Sequence, residues 1–304
     1  MAIAEEYLIE RKQNKFKLRL WKILTISIFT VLLIVIAKQY QQADEQVITS
    51  SSDYIASALI EDILFEDPKR DARLKKIIDD HQIKALILNV NSPGGTVVGS
   101  EKIYNILRKI SAKKPVVIVM GSLATSGGYL ISLGGDYIIS HNGTITGSIG
   151  VIFQSLEVTD LAKTLGITFE NFKSGVLKAA PNPTEKVTAE VRKAIMSNVH
   201  DTYEYFTELV ALRRNISIDE VRKIADGRIY SGRQALKLKL VDAVGSEDEA
   251  IRWLQEVKQI DPALEVKEFR LKPKPRFLDI MMEDLGSFMP SFITNKLQGL
   301  KAIF

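Results

Sequence analysis

Four short segments hold the residues whose types and spacing could carry chemistry. Ser126 lies in GSLATSGGY (121–129), directly after the apolar run VVIVM (116–120). A serine at such a strand-to-helix turn presents its hydroxyl, while the next N–H points into the same space. That is the logic of a nucleophile elbow, without the G-x-S-x-G spelling. The plainer alternative is a helix N-cap, a common post for serine. The segment NSPGG (91–95) follows a second apolar run, ALILNV (85–90). Its two glycines allow a sharp turn and bare N–H groups at a helix start, which suits an oxyanion. A plain strand-to-helix turn has the same spelling.

The third segment is SGVLK (174–178), followed by Ala179, Ala180 and Pro181. A serine hydroxyl needs a base to become nucleophilic near neutral pH. A lysine can be that base only when apolar surroundings favour its uncharged form. Val176, Leu177 and the residues after Lys178 are of that kind. A solvated surface lysine is the ordinary alternative. The fourth segment is TITGSIGV (144–151). Its small residues Ser148, Ile149 and Gly150 suit either the wall of a peptide groove or a tight turn between strands.

Other chemistries find little support. The chain has no cysteine and three histidines, so a thiolate or disulfide is excluded and a histidine mechanism has few candidates. His141 reads as a polar turn residue, His81 as a helix-end cap and His200 as a residue of a long helix. No Ser-His-Asp set and no paired-histidine metal spacing appears, and no cofactor is implied. No basic stripe interleaved with aromatics is present, so a nucleic-acid partner is not expected. The net charge of +4 comes mostly from residues 1–22, where six basic residues face three acidic ones.

Those residues must be positioned by something larger. A composition of 46% hydrophobic and 26% charged residues in 304 allows one large domain with an ordinary core. Ile23 to Ala37 is uncharged and spans roughly 22 Å as a helix, short of a ~30 Å hydrocarbon core. Trp21, Lys22 and Lys38 can lengthen it by anchoring at the interface. A transmembrane anchor over 21–38 is expected. A removed signal peptide and a buried core helix are the alternatives, and Lys38-Gln39-Tyr40 makes a poor cleavage site. Basic residues before the run place a 1–20 arm in the cytoplasm and the rest outside. A polar linker covers 39–53.

Beyond it, strands are expected over Tyr54–Phe65, Ala85–Val90, Val116–Met120 and Tyr137–Ser140. Helices are expected over Asp67–His81, Thr96–Ser111, Ser126–Leu133, Thr188–Arg214 (with a possible break) and Ile218–Ala225. Val97, Ile103, Leu107 and Ile110 would form the inner face of the second helix. This alternation implies an α/β domain, 54–271, with a largely parallel sheet. A 272–304 tail opens with KPKPR and turns apolar.

The ordered set NSPGG, ATSGGY, TGSIGV and SGVLK, with DGRIYSG (226–232) and LVDAVG (240–245), resembles the signal peptide peptidase A family in its short bacterial form. The resemblance implies a ClpP/crotonase-like fold, a repeated ββα superhelix behind one N-terminal anchor. It implies Ser126 as nucleophile, Lys178 as general base, and Gly95 and Gly127 as oxyanion donors. It also implies an endopeptidase for remnant signal peptides and similar apolar peptides. The enzyme would sit in the inner membrane, catalytic domain outward, as a homo-oligomeric ring whose serine and lysine come from neighbouring subunits. An acyl-CoA enzyme of the same fold and a catalytically silent membrane scaffold are the competing readings. Leu130 and Ser140 depart from the family pattern, and neither removes a catalytic atom.

Overall fold

The structure, a computed structural model, describes Lys15, residues 17–35 and residues 52–271. The rest of the basic arm, the linker before residue 52 and the 272–304 tail lie outside the described residues. Helix α1 (Lys17–Val35) has 19 residues and a mean hydropathy of 2.0, and it is fully exposed. At 1.5 Å per residue it reaches about 28 Å, close to the thickness of a bilayer core. It begins earlier than Trp21, because Lys17, Arg19 and Lys22 are good helix formers. Thr25 and Thr30 donate their hydroxyls to the carbonyls four residues back, so neither leaves an unpaired polar group on the apolar helix.

Residues 52–271 fall in one compact unit. Its elements run β1 (Tyr54–Glu61), α2 (Pro68–Asp79), β2 (Ile83–Ser92), α3 (Val97–Ser111), β3 (Val116–Thr125), α4 (Gly127–Ser132), β4 (Tyr137–Ser140), β5 (Ile145–Gly147). They continue α5 (Thr159–Thr164), α6 (Ala189–Arg214), α7 (Ile218–Ile224), β6 (Ile229–Ser231), α8 (Gly232–Lys237), β7 (Ala243–Val244), α9 (Glu247–Glu256), β8 (Val266–Glu268). The sheet has the order β6-β5-β3-β2-β1-β8, with β4 and β7 branching from β3. All pairs are parallel except β5–β6, so the α/β class read from the sequence is the one found.

Central strands β2 and β3 are apolar on both sides because both faces are covered. Leu86, Leu88 and Val90 join one core with Leu74, Ile103, Leu107 and Phe206. Ala85 and Ile87 join a smaller one with Val119, Ala250 and Leu254 of α9. The two helices that flank the central strands are capped at their starts. Asp67 accepts from the N–H groups of Lys69 and Arg70, and Thr96 accepts from Gly99.

Several expectations are corrected. Val97 is not part of an inner face: it is 40% exposed, while Ile103, Leu107 and Ile110 are buried. Val97 occupies the first helical position, where a side chain points past the end of the packed stripe. Strand β3 runs on to Thr125, because Leu123–Thr125 find a second partner in β5 after Val117–Met120 have paired with β4. Helix α6 is unbroken over its 26 residues. His81 is not a cap; Asp80 holds that position.

Candidate active site

The carboxyl ends of β1, β2 and β3 lie side by side, as parallel pairing requires, and ligands of open parallel sheets bind at that edge. Ser126 follows β3 directly. Its φ of 52° and ψ of −119° place it in backbone space that side chains rarely adopt. The strain is held from several sides. The Ser126 N–H donates to the Gly147 carbonyl at 2.9 Å, and its own carbonyl accepts from Leu130 at 2.9 Å. Thr125 Oγ1 donates to the Pro93 carbonyl at 3.0 Å, and Thr146 Oγ1 to that of Ala124 at 2.7 Å. The half-buried Ser126 side chain does not cap α4, which removes the plainer reading of this serine.

Facing it is the 93–96 turn. Ser92 Oγ accepts from the Gly94 N–H at 3.1 Å and donates to the Asp62 carbonyl at 2.6 Å. Leu64 donates its N–H to Gly94 and accepts from the Thr96 N–H, at 2.8 and 2.9 Å. Gly94 needs its φ of 106°, and a Cβ there would stand 2.8 Å from the Gly127 nitrogen. A Cβ on Gly95 would stand 2.1 Å from the Leu64 carbonyl oxygen. One on Gly127 would meet Ser100 Oγ at 2.3 Å and the Gly95 nitrogen at 3.1 Å. The N–H groups of Gly95 and Gly127 thus approach each other beside Ser126, and among the described residues neither is used in a hydrogen bond. Two unspent donors next to a strained, half-buried hydroxyl can hold a developing oxyanion.

Two cavities flank Ser126 and share Gly150, Val151 and Ile152. One is small, about 90 Å³, and mainly apolar, with Val97, Leu130 and Phe206 in its wall. The other is about 530 Å³, with Ser148, His200, Tyr203 and Asp226 in its wall. Asp226 is held below the usual carboxylate range by hydrogen bonds from the Arg228 side chain. Of the groove candidates, Ser148 and Gly150 line these spaces, and Ile149 is buried beneath them. The position of His200 was not legible in the sequence: α6 and β3 are far apart in the chain, and nothing in their spacing links them.

Lys178 is placed elsewhere. It is exposed and lines a separate space of about 520 Å³ with Phe172, Lys173, Ser174 and Asn182. It shares no hydrogen bond with Ser126 among the described residues. From Val151 to Val187 Ala162 alone is buried, while Phe172 is 94% and Ile152 83% exposed. One chain therefore brings Ser126, Gly95 and Gly127 together and keeps Lys178 apart from them. No group of three or more metal-ligating side chains occurs among the described residues.

A parallel α/β sheet with a strained serine facing paired N–H groups is the build of an acyl-transfer hydrolase. The profile described as peptidase family S49 matches residues 108–261. A Synechocystis sp. protein, slr0021, is 37% identical over 208 residues, which is 68% of this chain and 75% of that one. An Enterococcus faecium chain named as signal peptide peptidase SppA is 38% identical, over 76% of this chain and 64% of its own. Protease 4 of Salmonella typhi is 32% identical; the match covers 76% of this chain and 36% of that longer one. Among solved structures, a ClpP1 variant from Listeria monocytogenes aligns over 62% of this chain and 91% of its own, at 16% identity and a TM-score of 0.43. The chain belongs to peptidase family S49, and it is a serine protease of the SppA type.

Proposed function

We propose that this protease is a membrane-anchored endopeptidase for apolar peptides such as cleaved signal peptides, with Ser126 as nucleophile and Lys178 of a second copy as general base. The observation that carries the reading is the separation within one chain: Ser126 and Lys178 line different cavities, and the arm bearing Lys178 exposes an unusual amount of apolar surface. Surfaces of that kind mark protein contacts. A second copy's arm, laid over the larger cavity, brings an amine to Ser126 and strips the water around it, which favours the neutral amine of a lysine.

The reaction follows from the atoms. The amine takes the Ser126 hydroxyl proton as Oγ attacks the peptide carbonyl. The Gly95 and Gly127 N–H groups receive the oxyanion. Collapse of the tetrahedral intermediate breaks the C–N bond, and the ammonium returns the proton to the leaving amine. Water then attacks the acyl-enzyme with the same amine as base. The small apolar cavity holds the side chain next to the scissile carbonyl. Membership of the family sets aside the acyl-CoA reading, and a silent scaffold has no use for two unspent N–H groups beside a strained serine.

Helix α1 is the anchor, and the basic residues at its start keep residues 1–20 in the cytoplasm of a bacterial cell and the catalytic unit on the outer side. The test mixes inactive variants of the full chain. Ser126→Ala and Lys178→Ala are each expected to be inert on an apolar peptide, and mixed assemblies of the two to recover turnover. Full activity of Lys178→Ala refutes the base; no recovery in proven mixed assemblies refutes its origin in a second copy.

A further inference from the structure

The two cavities beside Ser126 differ in size, and the smaller one is where the acyl half of a substrate must sit. Ser126, Gly95 and Gly127 all line it, whereas the larger cavity has Ser126 but neither of those glycines in its wall. A carbonyl held between the two N–H groups and attacked by Ser126 therefore turns the side chain on its own side into the small cavity. The volume there is about 90 Å³. A cavity of roughly 150 Å³ takes up a benzene ring, or about 25 Å³ per carbon. By that measure the small cavity has room for about three or four carbons.

Its inner walls do not give way easily. Leu130 of α4 and Phe206 of α6 are each 4% exposed and belong to the main core, with Leu88, Val90 and Leu107. A close-packed interior admits an extra ring only by displacing side chains that have nowhere to go. The two walls are also clamped to each other. Arg213, near the end of α6, donates from Nε and Nη2 to the Leu133 and Gly135 carbonyls at the end of α4, both at 2.9 Å. Arg214 beside it pairs with Asp242 at 2.7 Å, which ties the same end of α6 to the residue before β7. Val97, 40% exposed, stands on the open side of the cavity.

We infer that the clamped pair Leu130 and Phe206 limits the residue before the scissile bond to a small aliphatic side chain, alanine or valine, and turns aromatic side chains away. The inference rests on the proteolytic reading of Ser126 and narrows its substrates. The limit is one-sided. The residue after the scissile bond leaves by way of the other cavity, whose volume of about 530 Å³ has room for a ring. Bulky residues are thus accepted after the cut and refused before it.

The experiment uses the full chain and three peptides of one apolar sequence, with alanine, valine or phenylalanine before the cut; mass spectrometry reads which bond is cleaved. The kcat/KM for phenylalanine is expected to be lower than for alanine or valine by about ten-fold or more. A fourth peptide carries its phenylalanine after the cut and is expected to be cleaved as well as the alanine peptide. Phe206→Leu opens the wall and is expected to raise the phenylalanine-to-alanine ratio about ten-fold. A melting curve checks its fold. Val97→Phe, at a partly exposed position, gives the opposite test should the first variant fail to fold: it fills the cavity and is expected to lower the valine-to-alanine ratio. Affinity for Ser126→Ala protein, read by anisotropy of the labelled peptides, is expected to follow the same order, so the size limit is tested without turnover. Equal cleavage and equal binding of the phenylalanine and alanine peptides, or ratios that neither variant moves, overturn the size limit. Cleavage that persists in Ser126→Ala faults the nucleophile; cleavage lost in that variant, with no preference in the unaltered protein, faults the size limit alone.

Discussion

The nucleophile turn and the lysine arm are built in opposite ways. Around Ser126, backbone and side-chain bonds converge from β2, β3, β5 and the turn after β1, and Gly94, Gly95, Gly127 and Gly128 are hemmed in by atoms. Along 151–187, apolar side chains face outward, and the ties are local: Lys173 to Glu185, Lys186 to Asp160, the Val158 N–H to Pro183. The contrast teaches where each half of the proposed dyad would be made rigid. Strain at Ser126 needs a frame inside the chain. The lysine is left on a surface whose frame a second copy can supply.

Breaking either half tests that division. The largest effects are expected from Ser126→Ala and Lys178→Ala, each lowering kcat by about 10³-fold or more. They should differ in rescue: each complements the other only in a mixed assembly, which activity of co-refolded chains checks. Gly95→Ala comes next. Its methyl would stand 2.1 Å from the Leu64 oxygen, so the turn must shift and one oxyanion donor with it. A fall in kcat of roughly 10²–10³ is expected, with a lower melting temperature, because this half is framed within the chain. Phe172→Ser, at 94% exposure, should leave the thermal stability of a dissociated chain unchanged and lower the assembled mass and activity together. Analytical ultracentrifugation against protein concentration reads this, and unchanged mass with full activity would place the contact elsewhere. The smallest effect is expected at Ser140. Its buried hydroxyl has no hydrogen-bond partner among the described residues, so Ser140→Ala should stabilise the unit by up to about 1 kcal/mol in denaturant titration, with activity intact.

Much of the nucleophile half was legible in the sequence. VVIVM and ALILNV read as buried strands because nothing but apolar side chains can sit between covered faces, and the loops after them were where chemistry had to be. The strand beyond Met120 was not legible: Gly121 and Ser122 look like a loop, and only pairing with β5 extends it. Strands β6, β7 and β8 are two or three residues long, too short for any period to show. His200 escaped because only the fold brings α6 to the cavity. The apolar neighbours of Lys178 left it open between a base and a solvated surface lysine; the role proposed for it came from the resemblance.

The tie at Leu64 also bears on how such a chain can change over generations. One residue inserted between Glu61 and Asp67 would slide the pairing with Gly94 and Thr96 by a step. That would turn a buried leucine outward, and an isoleucine or phenylalanine in against the oxyanion turn. The stretch after β1 is therefore fixed in length, whereas the arm between Val151 and Val187, with one buried residue, can gain or lose residues without disturbing the sheet. Divergence in length should accumulate in that arm rather than in the stretch after β1.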